Sequence, residues 1–411
     1  MENNWKEVKL GKFIKVKHGF AFPGTHITDQ ETDQILVTPG NFHIGGGFKN
    51  NKFKYFNSND YPESYILKEG DIVVTMTDLS KESDTLGYGA KIPRNNKVKF
   101  LHNQRVGLVE FKGEKEIHND FVYWVLRTRS YQGYVVGSAS GTSIMHTSPS
   151  RIEDYDFFLP PLPEQKAIAS VLSSLDDKID LLHQQNQTLE ALAETLFRQW
   201  FIERCPEPVE GEAKEDWEDC TIEDLCIKIN SGGTPSTKID SYYNGNINWY
   251  STKELNDNYL FSSNSKITQE GLDNSSAKIF PAGTVVIAIY AAPTVGRLGI
   301  LTEDSAFNQA ACGLVANDKI CSKEFLYLYL KNQRVELNLM ASGSAQQNLN
   351  VGKIKSYPCF IPDSIIMEKF KFQVEPLFSK ILDNSKQIQT LTKLRDTLLP
   401  KLMSGEVRVK I

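Results

Sequence analysis

The sequence lacks the long hydrophobic segments that mark membrane and secreted proteins. Its longest apolar run covers only about residues 285–293, far short of the roughly 20 residues that a membrane-spanning helix needs. Residues 1–7 mix acidic and basic side chains without an apolar core, so we expect no secretion signal and a cytoplasmic location. The chain has 411 residues, of which 40% are hydrophobic and 24% charged, and we expect two or three folded domains.

Cysteine is absent from residues 1–204 and histidine from residues 184–411. The six cysteines lie between Cys205 and Cys359 and never form a C-x-x-C pair, while the seven histidines lie between His18 and His183. Cysteines with this distribution indicate reduced thiols in a chain of this size. A mixed Cys/His metal site would need ligands from separate domains, so we predict no metal site.

Familiar catalytic motifs are also missing. There is no phosphate loop, residues 87–90 lack the third glycine of a dinucleotide fingerprint, and residues 137–141 carry alanine where a G-x-S-x-G nucleophile would stand. The adjacent acids Asp176 and Asp177 are predicted to lie on a solvated helix face. We therefore predict no catalytic residue, and a hydrolase with an unfamiliar site remains an alternative.

The distribution of charge is uneven. The net charge of −5 argues against a polyanionic partner, but residues 210–224 alone hold eight acids and a single lysine. Residues 91–105 contain five basic side chains and no acid, and residues 49–55 interleave three lysines with two aromatic residues. This pattern favours nucleic-acid binding, although a solvated strand edge would have the same composition.

The chain contains an internal repeat. From Ala139 and Ala341 onward the two copies keep an offset of 202 residues without a gap. Upstream, residues 103–109 (NQRVGLV) resemble residues 308–315 (NQAACGLV). Each half is therefore a variable globular unit followed by a similar tail, and we expect a pseudo-two-fold axis.

Both tails carry an apolar seam with alternating steps of three and four residues, the spacing of a coiled coil. The first seam consists of Leu172, Leu175, Ile179, Leu182, Asn186, Leu189, Ala193, Leu196 and Trp200. The second consists of Val374, Leu377, Ile381, Asn384, Ile388, Leu391, Arg395, Leu398 and Leu402. Because each seam must be covered, we predict two long helices packed side by side, with Asn186 and Asn384 fixing their register.

The globular units are predicted to be rich in strands. Runs of β-branched and aromatic residues predict strands over residues 72–75, 106–111 and 284–290. Residues 121–129 and 325–333 are predicted as short amphipathic helices whose aromatic side chains face the core. The predicted fold is α+β: two mixed α/β domains in tandem repeat, each followed by a long helix, with the helices packed as an antiparallel, coiled-coil-like spacer with pseudo-two-fold symmetry.

Amide side chains are prominent in the second unit where basic ones are prominent in the first. Asn and Gln can make bidentate contacts to adenine and Arg to guanine, so different surfaces on one scaffold would suit two DNA sequences. For any single Asn, a role in a turn explains it equally well. The predicted DNA-binding residues are Lys52, Lys54, Lys91, Arg94, Arg105, Thr142 and Ser143 in the first unit, and Arg297, Gln309, Ser344, Gln346, Gln347 and Asn348 in the second.

Two helical motifs carry a resemblance to a known family. Residues 159–165 (LPPLPEQ), which lead into residues 175–179 (LDDKI) and 187–191 (QTLEA), resemble the central conserved region of type I restriction-modification specificity subunits. Residues 394–406 (LRDTLLPKLMSGE) resemble the distal conserved region of the same family. The resemblance covers the whole chain in architecture, whereas the variable units carry little family signal, as expected if they diverge with their target sequence.

The resemblance implies a non-catalytic DNA-reading subunit of a complex that defends against foreign DNA. Target recognition domains at residues 1–160 and 207–362 would each read one half of a split double-stranded site. Helical spacers at residues 161–206 and 363–411 would set the gap and dock two modification (methyltransferase) subunits. S-adenosylmethionine, ATP and Mg²⁺ are implied in those subunits and in motor-nuclease restriction subunits, with no cofactor in this chain. A two-module protein scaffold that does not touch DNA is the alternative.

Overall fold

The computed structural model describes residues 5–78, 80, 83–141, 144–203, 217–290, 294–341 and 349–410. The chain divides into two compact units, the first formed by Met1–Ile179 with Gln389–Ile411 and the second by Asp180–Ile388. Each unit therefore contains one strand-rich domain together with parts of both long helices. Among the helices of the described residues, none combines the length and the hydropathy needed to cross a membrane.

The first domain is a mixture of strands and short helices. Its strands are β1 (Lys6–Lys9), β2 (Ile14–His18), β3 (Ile27–Thr28), β4 (Gln34–Val37), β5 (Lys54–Phe56), β6 (Ile66–Leu67), β7 (Ile72–Thr75), β8 (Thr77–Asp78), β9 (Gly89–Lys91), β10 (Lys99–His102), β11 (Val106–Phe111), β12 (Met145–His146) and β13 (Asp156–Leu159). Its helices are α1 (Asn119–Val125), α2 (Arg129–Gly137) and α3 (Pro149–Glu153), and the long helix α4 (Leu162–Phe197) follows.

The second domain is built in the same way. Its strands are β14 (Trp217–Thr221), β15 (Cys226–Ser231), β16 (Tyr243–Tyr250), β17 (Asn258–Leu260), β18 (Ser265–Ile267), β19 (Val285–Ala288), β20 (Leu298–Leu301), β21 (Ala306–Phe307), β22 (Ala311–Ala316) and β23 (Pro358–Pro362). Its helices are α5 (Gln269–Asp273), α6 (Lys323–Asn332), α7 (Arg334–Ala341) and α8 (Val351–Lys355), and the long helix α9 (Ser364–Ser404) follows.

The two domains repeat one central sheet. The antiparallel strand order β2-β11-β7-β9 of the first domain recurs as β15-β22-β19-β20 in the second. Strands β7 and β19 are fully buried, because their apolar and β-branched side chains are covered on both faces. The strands predicted over residues 72–75 and 106–111 are confirmed at those bounds, and the one over residues 284–290 is confirmed as the shorter β19. The predicted tandem repeat is thereby confirmed.

Helices α1 and α6 pack into the core of their domains, and corresponding cations lie just after the end of α1 and in the last turn of α6. Phe121 and Phe325, at the start of the predicted helices, are buried as expected. The guanidinium of Arg127 lies 5.3 Å from the aromatic ring four residues earlier and forms an ion pair with Asp176 of α4. The Nζ atom of Lys331 lies 5.7 Å from the aromatic ring four residues earlier and 2.6 Å from Glu194 of α4. Each domain is thus joined to α4 by an equivalent cation.

Within the second unit the two long helices run antiparallel. Asn384 of α9 donates from Nδ2 to Oδ1 of Asn186 of α4 at 2.9 Å. Further along α4, Phe197 meets Phe370, which precedes Asn384 on α9, with a ring separation of 6.2 Å. Every seam position predicted from the sequence is buried or partly buried, so the predicted helix pairing is confirmed.

Within the first unit the helices also run antiparallel, and one acid beside the seam is partly buried. Leu172 shares an apolar core with Leu399, while Oδ1 of Asp176, further along α4, lies 2.6 Å from Nη1 of Arg395, which precedes Leu399 on α9. Burial by itself would raise the pKa of Asp176, but the guanidinium groups of Arg127 and Arg395 outweigh it and leave the pKa below its ordinary value. The prediction that Asp176 lies on a solvated face is therefore wrong, because both arginines approach it from distant parts of the chain.

Candidate nucleic-acid interface

In the first unit, several chain segments meet where strand β7 ends. The N–H of Met76, the residue after β7, donates to the carbonyl of Arg105 at 2.9 Å, and the Met76 carbonyl accepts from the N–H of Thr147 at 3.0 Å. The segment after β2 joins them, since the N–H of Phe20 donates to the carbonyl of His102 at 2.8 Å. The surface formed here by residues 18–20, 76–77, 103–105 and 146–147 is named the strand-end surface of the first unit.

The second unit has the same arrangement. Ile289, after β19, donates its N–H to the carbonyl of Ala310 at 2.8 Å and accepts from the N–H of Leu349 at 3.0 Å. The carbonyl of Arg297 accepts from the N–H of the residue before Ile289 at 2.9 Å. The strand-end surface of the second unit is formed by residues 231–234, 289–290, 296–297, 308–310 and 349. Corresponding backbone hydrogen bonds therefore organise this surface in both units.

A turn with the sequence Asn-Gln lies in each strand-end surface. The side-chain oxygen of Asn103 accepts from the N–H two residues later at 3.0 Å, and that of Asn308 does the same at 3.2 Å. Asn side chains stabilise turns in this way by replacing a backbone acceptor. The residues that follow, Gln104 and Gln309, are both exposed. The two units thus present a glutamine on the same kind of turn.

A glycine packs against each turn at backbone contact distance. A Cβ atom on Gly19 would lie 2.1 Å from the carbonyl oxygen of Asn103, and one on Gly232 would lie 2.0 Å from the carbonyl oxygen of Phe307. Any side chain would therefore force the two backbones apart. These glycines hold the turns against the segments that follow β2 and β15.

The first turn rests on a buried histidine. The imidazole of His102 is fully buried, and its Nε2 donates to the carbonyl of Val106 at 2.8 Å. Burial lowers the pKa of His102 to about 4, so the ring is neutral at pH 7. Its hydrogen bond spans the turn from one strand to the next and closes it from the inside.

A buried carboxylate organises the loop after β8. Oδ1 of Asp78 accepts from the N–H of Ser80 at 2.7 Å, and Oδ2 accepts from the N–H and the hydroxyl of Thr85, both at 2.7 Å. Burial alone would raise the pKa of Asp78, but these hydrogen bonds outweigh it and keep the pKa below its ordinary value. Asp78 therefore holds Ser80 and Thr85 as an ionised carboxylate.

Among the residues predicted for the first unit, Arg105 belongs to the strand-end surface and is exposed. Thr142 and Ser143 lie outside the described residues. His146 lies at the strand-end surface, where its Nδ1 is hydrogen-bonded to the Oγ1 atom of Thr77 at 3.1 Å.

The other predicted residues of the first unit lie elsewhere in the domain. Lys91 is paired in register with the first residue of β7, at the end opposite the strand-end surface, and its Nζ lies 2.9 Å from Oδ1 of Asp120. Arg94 has its Nε 3.9 Å from Oε2 of Glu69. Lys54 lies in β5, two strands from β10, and its Nζ is 2.6 Å from an oxygen of Asp29. Lys52 precedes it as an exposed residue with a φ of 53°.

In the second unit, Arg297 and Gln309 both belong to the strand-end surface. The carbonyl oxygen of the Gln309 side chain accepts a hydrogen bond from the hydroxyl of Thr234. The remaining predicted residues of this unit lie outside the described residues: Ser344, Gln346, Gln347 and Asn348. The residue that follows them, Leu349, is hydrogen-bonded to the end of β19 as described above.

Gln104, His146 and Asp78 were not predicted as site residues. The Asn-Gln pair that recurs in both units could have identified Gln104 as a site residue. Basic residues were selected in the first unit instead, so its neighbour Arg105 was predicted. The positions of His146 and Asp78 depend on strand pairing between β8 and β12, which composition does not reveal.

The described cysteines are free thiols, as predicted. Burial raises the pKa of Cys226, Cys312 and Cys359 to about 12, so these thiols are protonated at neutral pH. In the described part of the chain, no group of three or more histidine, cysteine or acidic side chains is arranged to hold a metal ion.

A comparison with protein families matches the chain twice. The family described as "Type I restriction modification DNA specificity domain" matches residues 2–191 and residues 214–389. Each matched segment contains one strand-rich domain, and together they span most of the chain.

Individual relatives carry related descriptions. The MjaIX type I restriction enzyme specificity subunit of Methanocaldococcus jannaschii is 27% identical over 304 residues, which cover 71% of this chain and 70% of that protein. The HindI type I restriction enzyme specificity subunit of Haemophilus influenzae is 24% identical over 455 residues, which cover 88% and 98%. Among solved structures, the S subunit of a type I restriction-modification system from M. genitalium matches with a TM-score of 0.60 and 18% identity over 98% of this chain and 96% of that one. This structural likeness concerns the fold.

Proposed function

Since the chain belongs to the family of type I restriction-modification DNA specificity proteins, we propose that each of its two units reads one half of a bipartite double-stranded DNA site. The chain is a specificity subunit and not itself an enzyme. It selects the sequence on which the assembled complex acts. The same proposal places the protein in the cytoplasm, where it would meet the DNA.

The duplicated strand-end surface is the observation that carries this proposal. Corresponding backbone hydrogen bonds support it in both units, while the side chains differ: the exposed Arg105 of the first unit corresponds to the partly buried Ala310 of the second. A fixed backbone with variable side chains is what two readers of different sequences require, because base contacts specify whereas the scaffold only positions them.

Partner docking is proposed for the outer faces of the long helices. Leu192 and Leu394 are related by the same 202-residue offset as the rest of the repeat, and they are 46% and 44% exposed. Exposed apolar residues at repeated positions favour two copies of one partner, the modification (methyltransferase) subunit. S-adenosylmethionine, ATP and Mg²⁺ would then belong to the modification subunits and to motor-nuclease restriction subunits.

The test is to assemble the chain with its modification subunits and to select bound duplexes from a random DNA library. We expect two short specific sequences separated by an unspecified gap, with an affinity that falls steeply as salt increases, because phosphate contacts release counterions. Weak and salt-insensitive binding would favour the protein-scaffold alternative. Turnover by the isolated chain would favour a hydrolase.

A further inference from the structure

We infer that Gln104 and Gln309 are corresponding specificity-determining residues, each of which reads an adenine of its own half-site through its side-chain amide. The inference rests on the proposed function. Beyond the proposed function, it assigns one defined base, an adenine, to matching positions of the two half-sites.

The backbone under each glutamine is held in place. The N–H of Gln104 donates to the carbonyl of Phe20 at 2.9 Å, and the preceding Asn103 closes the turn with its own side chain. In the second unit, the N–H of Asn308 donates to the carbonyl of Tyr250 at 2.9 Å. The glycine contacts described above hold both turns from the other side. An exposed side chain on so constrained a backbone can meet a DNA base with little reorganisation of the protein.

The amide of Gln309 is already oriented. The hydroxyl of Thr234 donates to its side-chain oxygen, which keeps a second lone pair, and the NH₂ group lies at the other end of the amide. In the major groove adenine presents a donor at N6 beside an acceptor at N7, and this pair matches the oxygen and the NH₂ group of one glutamine. Guanine presents two acceptors and would suit arginine instead.

The neighbouring residue differs between the units. Arg105 follows Gln104, whereas the residue after Gln309 is Ala310. An arginine beside the glutamine adds donors for a guanine or a phosphate, and alanine adds none. The two half-sites should therefore share an adenine at the matching position and differ beside it.

The experiment uses the full chain assembled with its modification subunits and duplex libraries randomised over both half-sites. Gln104→Ala should reduce discrimination for one adenine in one half-site by roughly tenfold to 100-fold and leave the other half-site unchanged. Gln309→Ala should have the reciprocal effect. Gln309→Arg should change the preferred base at that position from adenine to guanine, and Thr234→Val should weaken the same preference by a smaller factor.

The exposed glutamines Gln30 and Gln269 provide matched controls, and their alanine variants should leave both half-sites unchanged. An equal loss of affinity for every sequence would make the two turn glutamines phosphate contacts and overturn the inference. Loss of preference for another base, or no change in either half-site, would overturn it as well. A variant whose thermal unfolding has the same midpoint temperature as that of the parent protein is correctly folded. A parent complex without sequence preference would instead overturn the proposed function.

Discussion

The side-chain amide of Asn384 donates a 2.9 Å hydrogen bond to the side-chain oxygen of Asn186 in the interior of the helix pair. Asn186 in turn donates to the hydroxyl of Ser385 at 3.2 Å. Buried amides of this kind fix the register of paired helices at a cost in stability, because another register would leave them unpaired. The two asparagines therefore define a register that the apolar seams alone would leave open.

We expect Asn186→Leu to lower the free energy of unfolding by about 1–3 kcal/mol, because the Asn384 amide loses its buried acceptor. The double variant Asn186→Leu/Asn384→Leu should recover the parent stability or exceed it, because both polar groups leave together. Denaturant unfolding of the full chain measures both effects, with the exposed Gln184→Leu as control. A double variant as unstable as the single one would contradict this account.

Asp176→Asn should be strongly destabilising, by about 3–5 kcal/mol, because the buried Arg127 loses its counter-charge and Arg395 keeps only Asp396 as an ion-pair partner. The adjacent Asp177 is exposed, so Asp177→Asn should change the free energy of unfolding by less than about 0.5 kcal/mol. Because the pKa of Asp176 is held below its ordinary value, its contribution is present above that value and is lost as the pH falls through the lowered pKa. Equal stability of the two variants would show that the ion pairs of Asp176 with Arg127 and Arg395 do not stabilise the helix pair.

The stability of the first unit should fall as the pH falls from about 6.5 to about 4. The pKa of His102 is about 4 in the folded chain, while an unfolded histidine titrates near 6.5. Between these values the unfolded chain binds a proton that the folded chain does not, which costs about 3 kcal/mol of stability over the range. His102→Gln should remove this part of the pH dependence of unfolding, and the exposed His26→Gln should retain it. A parent curve that is flat over this range would contradict the assignment.

The length of the helices should set the gap between the half-sites. Removal of seven residues from each long helix takes away about 10.5 Å of helix. At about 3.4 Å of DNA axis per base pair, the tolerated gap should shorten by roughly three base pairs. Mapping the sites that the variant complex methylates measures the gap between the half-sites. An unchanged gap would show that another element sets the spacing.

Periodic features of the fold were predictable from the sequence. The apolar seams and the 202-residue offset predict the helix pairing, because burial along a helix repeats with a fixed period. Strands β7 and β11 were predicted at their observed bounds, since β7 consists only of β-branched residues and β11 is a mainly apolar segment that follows the Asn-Gln turn. Strand β19 was predicted too long, because apolar residues continue past its last ladder pair.

The candidate site was predictable only in part. Arg105 and Gln309 were selected by residue type, and both lie at the strand-end surfaces. Lys91 was selected for local charge density, which does not reveal that Asp120 lies 2.9 Å away. Asp176 was assigned to solvent because its arginine partners come from segments far away in the chain. Long-range pairing decides these roles, and a single sequence contains no direct signal for it.

The packing of Gly19 and Gly232 against the turns separates what must be preserved from what is free to vary. The glycines tolerate no replacement without a shift of the backbone, whereas Gln104 and Gln309 on the same turns have exposed side chains. Under the proposed function, a single substitution at such an exposed position would change the target preference of the chain while the glycine contacts and the backbone of the turn stay as they are.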